Sequence, residues 1–277
     1  MKVIKTISEV KKERHNFNGT VGLFPTLGYL HKGHLNLVRQ SVQENDCTIS
    51  SIFVNPTQFG PSEDFNSYPR DFERDLAMLE EEGVEFVFMP STQEMYPEGY
   101  DTWVDIEKIT SKLEGASRPS HFRGVTTIVA KLFNIVSPAK AYFGQKDAQQ
   151  LAVIKKMVKD LDMNLEVIAC PTVREPDGLA MSSRNTYLKP DERKEAVVLY
   201  QSLKLAEKLY SEGERNAEII RRDMTTLIQQ QPAANIDYVS IADNETLDEV
   251  NEITGPVLVS LAVKIGKPRL IDNLVLE

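Results

Sequence analysis

The chain has 277 residues, 41% of them hydrophobic and 26% charged, with a formal net charge of -9. That length can bury a sizeable core and suits one large domain plus a smaller one, or a single large α/β unit. The acidic balance argues against a nucleic-acid binder, which needs a basic face, and no apolar run reaches the roughly 18 residues of a membrane span. Cys47 and Cys170, with no CxxC pair, argue against a disulfide scaffold or a cysteine zinc site and fit a reducing cytoplasm.

The opening MKVIKTISEVKKERHNFNG is charged throughout and has no apolar h-region, so it does not read as a secretory signal. GTVGLFPT (Gly19–Thr26) reads as a short buried strand, Asn36–Asn45 as a helix and Cys47–Val54 as a β-branched strand. Asp71–Glu82 places Phe72, Leu76 and Leu79 at helical spacing, and Gly83 stops it before a strand over Val84–Met89. A helix over Val125–Val136, a strand ending at Phe143, a helix over Asp147–Leu161 and a strand over Asn164–Ala169 follow. This alternation predicts βαβ units and a parallel sheet, with ligands at the carboxyl ends of its strands.

After Pro171 the pattern changes. PTVREPDGLAMSSRN, with Pro171, Pro176 and Gly178, reads as loop or hinge. Helices over Asp191–Glu212 and Asn216–Gln231 precede strands over Ile236–Ala242, Val257–Val263 and Arg269–Ile271. The expected architecture is α/β. A Rossmann-like parallel-sheet domain spans 1–175 and a smaller α+β domain spans 176–277, with no internal repeat.

His31-Lys32-Gly33-His34 follows a predicted strand and a Gly28 turn and precedes a helix. A helix N-terminus offers N–H groups and a positive dipole end to an anion. Two imidazoles there can donate to phosphate oxygens and stabilise charge moving onto a leaving pyrophosphate. At this level they can equally be structural or metal ligands, although zinc usually needs three protein ligands and only His15 and His121 remain. Gly28 and Gly33 have P-loop spacing without the Lys-Ser/Thr that must follow, and GxGxxG, GxSxG and HExxH are missing.

PTLGYLHKGH (Pro25–His34) resembles the HIGH-type signature of the nucleotidylyltransferase superfamily. FVNPTQF (Phe53–Phe59), YPRDFERD (Tyr68–Asp75), HFRGVTTIVAKLFNIV (His121–Val136), YFGQKDAQQL (Tyr142–Leu151) and DGLAMSSRN (Asp177–Asn185) are similar, in order and spacing, to the pantothenate synthetase (pantoate–β-alanine ligase) family. The resemblance implies a ligase that condenses pantoate with β-alanine through a pantoyl-adenylate, releasing AMP and pyrophosphate. It also implies Mg²⁺ with ATP and a homodimer, while charge, cysteine usage and hydropathy point to a cytoplasmic protein with no nucleic-acid or membrane partner.

Carried over residue by residue, the resemblance assigns catalysis to His34, His31 and Lys146. ATP binding falls to Leu27, Gly28, Tyr29, Leu30, His31, Lys32, Gly33, His34, Gly144, Gln145, Lys146, Asp147, Val173, Met181, Ser182, Ser183 and Arg184. Gln58 and Gln150 are assigned to pantoate, and Gln58 also to β-alanine. No protein metal ligand is assigned. Gln145 stands where glutamate is common, and Met181–Arg184 matches a mobile loop that closes on the triphosphate. Asn55 and Tyr68 match residues lining the same region. Arg118 and Arg123 add charge to the pocket or pair with surface carboxylates, and Asp71, Glu73 and Asp75 read as an exposed helix face ahead of a magnesium contact. Two other readings share HxGH: a nucleotidyltransferase acting on another acid, and a nucleotide-binding sensor.

Overall fold

β-branched and aromatic runs in the first two thirds of the chain form six parallel strands: β1 (Lys2–Ile4), β2 (Val21–Thr26), β3 (Cys47–Ile52), β4 (Phe86–Phe88), β5 (Lys140–Gly144) and β6 (Glu166–Cys170). Their order across the sheet is β1-β4-β3-β2-β5-β6. The chain therefore builds outward from β2 in one direction, then returns to add β5 and β6 on the other side. The switch point of such a sheet, here between β2 and β5, is where an open α/β fold holds its ligand. The computed structural model describes residues 1–61 and 63–277.

Helices α1 (Ile7–Asn16), α2 (Lys32–Glu44), α3 (Phe72–Glu81), α4 (Thr92–Met95), α5 (Leu113–Ser117), α6 (His121–Val136) and α7 (Ala148–Asp160) connect these strands. Phe24 and Ile52 of the sheet pack with Leu35 and Val38 of α2, Leu79 of α3 and Leu30 of the intervening loop. Helix α6 is buried along most of its length, from Phe122 to Val136, with Arg123 and Asn134 on its exposed side.

The chain divides into two compact units, Met1–Gly144 with Gln150–Pro171, and Gln145–Gln149 with Thr172–Glu277. The second contains α8 (Pro190–Glu195), α9 (Val198–Ser211), α10 (Ala217–Ile228) and an antiparallel sheet of β7 (Ala234–Asp243), β8 (Val257–Ile265) and β9 (Arg269–Leu276), ordered β7-β8-β9. Leu199, Leu203, Ile220, Met224, Val259 and Leu261 form its core.

Several elements differ from the sequence reading. β1 was not foreseen, because three residues among charged neighbours carry no period of their own. The helix expected over Asp191–Glu212 breaks after Glu195, just ahead of consecutive β-branched Val197 and Val198, which are poor helix formers. The helix expected from Val125 begins at His121, because Ser120 adopts a left-handed φ of 71° and turns the chain there.

Candidate active site

In the first unit, β2 ends at Thr26, and Gly28 (φ 90°) and Tyr29 (φ 53°) turn the chain sharply into α2. His31 is the N-cap of α2: its Nδ1 accepts from the Gly33 N–H at 3.1 Å. The His34 Nδ1 in turn accepts from the His31 N–H at 3.3 Å, so two histidines form a reciprocal capping box. Their rings stack with centroids 3.9 Å apart. A neutral imidazole that accepts at Nδ1 carries its proton on Nε2. The backbone thus selects one tautomer in both rings, with the proton on Nε2.

Asp75 corrects the exposed-face reading. Asp71 is the N-cap of α3, but Asp75 one turn later is fully buried. Its Oδ2 accepts from the Tyr29 N–H at 2.6 Å and its Oδ1 from the Leu30 N–H at 2.7 Å. Burial pushes its carboxyl above the ordinary value, opposed by those two hydrogen bonds. Arg74 donates to the Leu30 carbonyl at 2.8 Å and lies over the Tyr29 ring at 5.3 Å.

A second group sits beyond β3. Asn55, 1% exposed, caps the 3-10 turn Pro56–Gln58. Its Oδ1 accepts from Thr57 Oγ1 at 3.0 Å and the Tyr96 hydroxyl at 2.9 Å. Its Nδ2 donates to the Gly124 carbonyl at 3.1 Å and to Gln58 Oε1 at 3.3 Å. A Cβ built on Gly124 would meet the Thr57 carbonyl oxygen at 2.4 Å, so α6 needs glycine there to lie backbone-close against the Gln58 turn. Gln150 lies half-buried on α7.

His121, at the start of α6, completes this group, and the sequence reading gave it no role. Arg118 ion-pairs with Glu63 through two contacts of 2.7 and 2.6 Å and points Nη1 at His121 Nε2, 3.1 Å away. A guanidinium can only donate, so Nε2 accepts and Nδ1–H donates to the Gln58 carbonyl at 2.7 Å. Burial, and then the Arg118 charge, push the His121 pKa down to about 4. Of the two open readings, Arg118 follows the carboxylate-pairing one, whereas Arg123 lies over the Trp103 ring at 4.8 Å.

This cluster predicts a pH dependence. A histidine whose folded pKa is depressed favours the folded state above its unfolded value, near 6.5, and that stability is lost as pH falls toward the folded value of about 4. Titrated by thermal melts from pH 7 to 4, the protein should lose on the order of 2 kcal/mol from this group. His121→Gln should flatten that part of the profile; an unchanged profile would contradict the assignment.

In the second unit, Gln145–Asp147 forms a 3-10 turn. Asn273 of β9, 5% exposed, donates through Nδ2 to the Gln145 carbonyl at 3.0 Å and the Lys146 carbonyl at 2.8 Å, and its Oδ1 accepts from Gln145 Nε2 at 3.4 Å. A carboxylate cannot make that last donation, so the glutamine here suits the asparagine it faces. Lys146 Nζ is 4.0 Å from Asp147 Oδ1.

The segment expected to be a hinge and closing loop makes its contacts within this unit. The Val173 carbonyl accepts from the Met181 N–H at 3.0 Å, and that of Leu179 from the Glu175 N–H at 2.8 Å. Leu179 and Ala180 are buried. Arg174 pairs with buried Asp272 at 2.6 and 3.0 Å, and Asp177 with Arg193 at 2.7 and 3.1 Å. Ser182 caps the turn Ser183–Tyr187 by accepting from the Arg184 N–H at 3.3 Å. Glycine and proline mark the bend in the sequence, but its ion-pair partners lie 16 and 98 residues away.

The family model for pantoate–β-alanine ligases matches residues 2–275. The chain belongs to the pantoate–β-alanine ligase family. Curated members are similar over their full length: the pantothenate synthetase of Acetivibrio thermocellus is 61% identical, and that of Thermotoga petrophila 56%, each covering 100% of both chains. The crystal structure of the pantothenate synthetase from Thermus thermophilus superposes with a TM-score of 0.95 at 46% identity, covering 99% of each chain. The pantoate–β-alanine ligase of Francisella tularensis, solved with Beta-gamma ATP and Beta-alanine, gives 0.82 at 34% identity over 99% of this chain and 97% of its own. As a member of the pantoate–β-alanine ligase family, the protein is a ligase that joins pantoate to β-alanine. Among the described residues no helix is long and apolar enough to cross a membrane.

Proposed function

We propose that this ligase activates pantoate with ATP and transfers the pantoyl group to β-alanine in a second step. A pantoate carboxylate oxygen attacks the α-phosphorus of Mg·ATP, the bond to the bridging oxygen breaks, and pyrophosphate leaves. The amine of β-alanine then attacks the acyl carbon of the adenylate, loses a proton and expels AMP. The observation that carries this reading is the two-histidine cap of α2, with both rings held as Nε2 donors at a helix N-terminus.

In this reading His34 and His31 stabilise charge on the departing phosphates. Lys146 neutralises phosphate charge, and Ser182, Ser183 and Arg184 hold the triphosphate. Leu27 to Gly33, Gly144, Gln145, Asp147, Val173 and Met181 complete the ATP site. Mg²⁺ enters with the nucleotide as part of the substrate. Gln58 and Gln150 hold pantoate, and Gln58 also β-alanine. Because Asn55 holds the Gln58 oxygen, the NH₂ end of that amide is the end to meet a substrate oxygen. Residues 1–175 provide the ATP and pantoate chemistry and 176–277 the lid. The enzyme works in the cytoplasm as a homodimer.

Pantothenate should appear by mass when ATP, pantoate and β-alanine are supplied together; ATP-to-AMP turnover that ignores pantoate would point to another acid. Gln150→Ala should weaken pantoate by about 1–3 kcal/mol, read as a raised KM for pantoate with an unchanged KM for ATP, since a buried substrate group is left unpaired. Equal rises in both would remove Gln150 from the pantoate site.

A further inference from the structure

Three consecutive amide N–H groups leave the turn after β2, and each has a defined acceptor: Tyr29 bonds Asp75 Oδ2, Leu30 bonds Asp75 Oδ1, and His31 bonds His34 Nδ1. The first two follow the left-handed residues Gly28 and Tyr29. Successive N–H groups in such a turn form a concavity that attracts anions, the device other folds use to cradle phosphate. Here a carboxylate of the protein itself occupies it.

We propose that Asp75, assisted by Arg74, is a positioning residue that fills the anion-binding turn after β2 and so sets the tautomer and orientation of the His31/His34 pair. The proposal rests on the reading that these histidines act on the phosphates. Both Asp75 oxygens are committed to backbone donors, so the group acts on the reaction only through the loop. A buried charge is retained only where its hydrogen bonds compensate for lost water, and two bonds at 2.6 and 2.7 Å to adjacent amides do so. No neutral side chain of similar size offers two acceptors in that fork: asparagine would turn an NH₂ toward one N–H.

The neighbours hold the same grip from other sides. A Cβ at Gly28 would lie 3.0 Å from Asp75 Oδ2 and 3.1 Å from Ile52 Cγ2, at a φ that L side chains rarely adopt. Arg74 takes the carbonyl of Leu30, whose N–H Asp75 already holds, so one peptide on each side of that residue is fixed. The next N–H along the chain is the one that makes His34 Nδ1 an acceptor. With the turn filled by Asp75, the phosphates are left to the imidazoles.

The test is a double-mutant cycle read by pantoate-dependent exchange of labelled pyrophosphate into ATP. Asp75→Asn should lower the exchange rate about 10-fold or more, because a small misplacement of catalytic groups carries a cost of that size. The same substitution in a His34→Ala background should change the rate by less than about 3-fold, since the part of its effect that His34 carries is then absent. ¹⁵N spectra of the histidine rings should show His34 as a single Nε2–H tautomer in the parent and as a mixture in Asp75→Asn. Arg74→Ala, which leaves the carboxylate in place, should show a smaller loss with the same non-additivity and covers the case in which Asp75→Asn fails to fold. Losses that add in full to that of His34→Ala, or an unchanged His34 spectrum, would overturn the proposal. A His34→Ala enzyme exchanging at the parent rate would instead overturn the reading of the histidines beneath it.

Discussion

His34→Ala lowers the rate of pantoate-dependent pyrophosphate–ATP exchange by about 10² to 10³, the loss that follows removal of one preorganised donor to a developing charge. The size follows from the ring's environment. Its Nδ1 is committed to the His31 N–H, so the Nε2 proton is set in place before substrate arrives and needs no reorganisation during the reaction. The partner ring, stacked at 3.9 Å, restricts its rotation. The fold should tolerate the change. The α2 N-terminus keeps the bond from the Gly33 N–H to His31, and the buried face of the helix, through Leu35, Leu37 and Val38, is untouched. Thermal midpoints of the two proteins should therefore agree, and a near-parent exchange rate would remove His34 from the catalytic set.

Lys146→Met lowers the same exchange by about 10², because it removes a phosphate charge partner while keeping the side chain's length. The turn that carries it is held through its backbone: Asn273 takes the carbonyls of Gln145 and Lys146, and neither bond depends on the Lys146 ammonium. The loss should accordingly appear in kcat, with a circular dichroism spectrum and thermal midpoint like those of the parent. A loss of stability with kcat per folded molecule unchanged would make Lys146 structural.

Much of this arrangement is legible in the sequence because its signals are local. The buried strands β2 and β3 announce themselves by apolar and β-branched runs, and the histidines at the start of α2 by a glycine turn before an amphipathic stretch. Asp75 was misread because three acids at alternate positions suggest a solvated face. A sharper signal was present: Asp75 lies four residues before Leu79, on the stripe that α3 buries. A carboxylate on a buried stripe requires a partner, but that partner, the turn at Tyr29 and Leu30, lies some 45 residues away, where no local pattern points. The same holds for His121, whose Nδ1 partner, the Gln58 carbonyl, is 63 residues away, and for Asn273, which reaches back to the Lys146 turn. Residue types suited to ligands can be picked out locally; the contacts that hold them are found only once the chain has folded.

Exchange without the second substrate separates a stepwise reaction from a concerted one. Enzyme, Mg·ATP, pantoate and labelled pyrophosphate, mixed without β-alanine, should return label into ATP, and omitting pantoate should abolish the signal because there is then no carboxylate to adenylate. Label that enters ATP only when β-alanine is present would contradict a free-standing adenylate and require a concerted reaction of all three substrates.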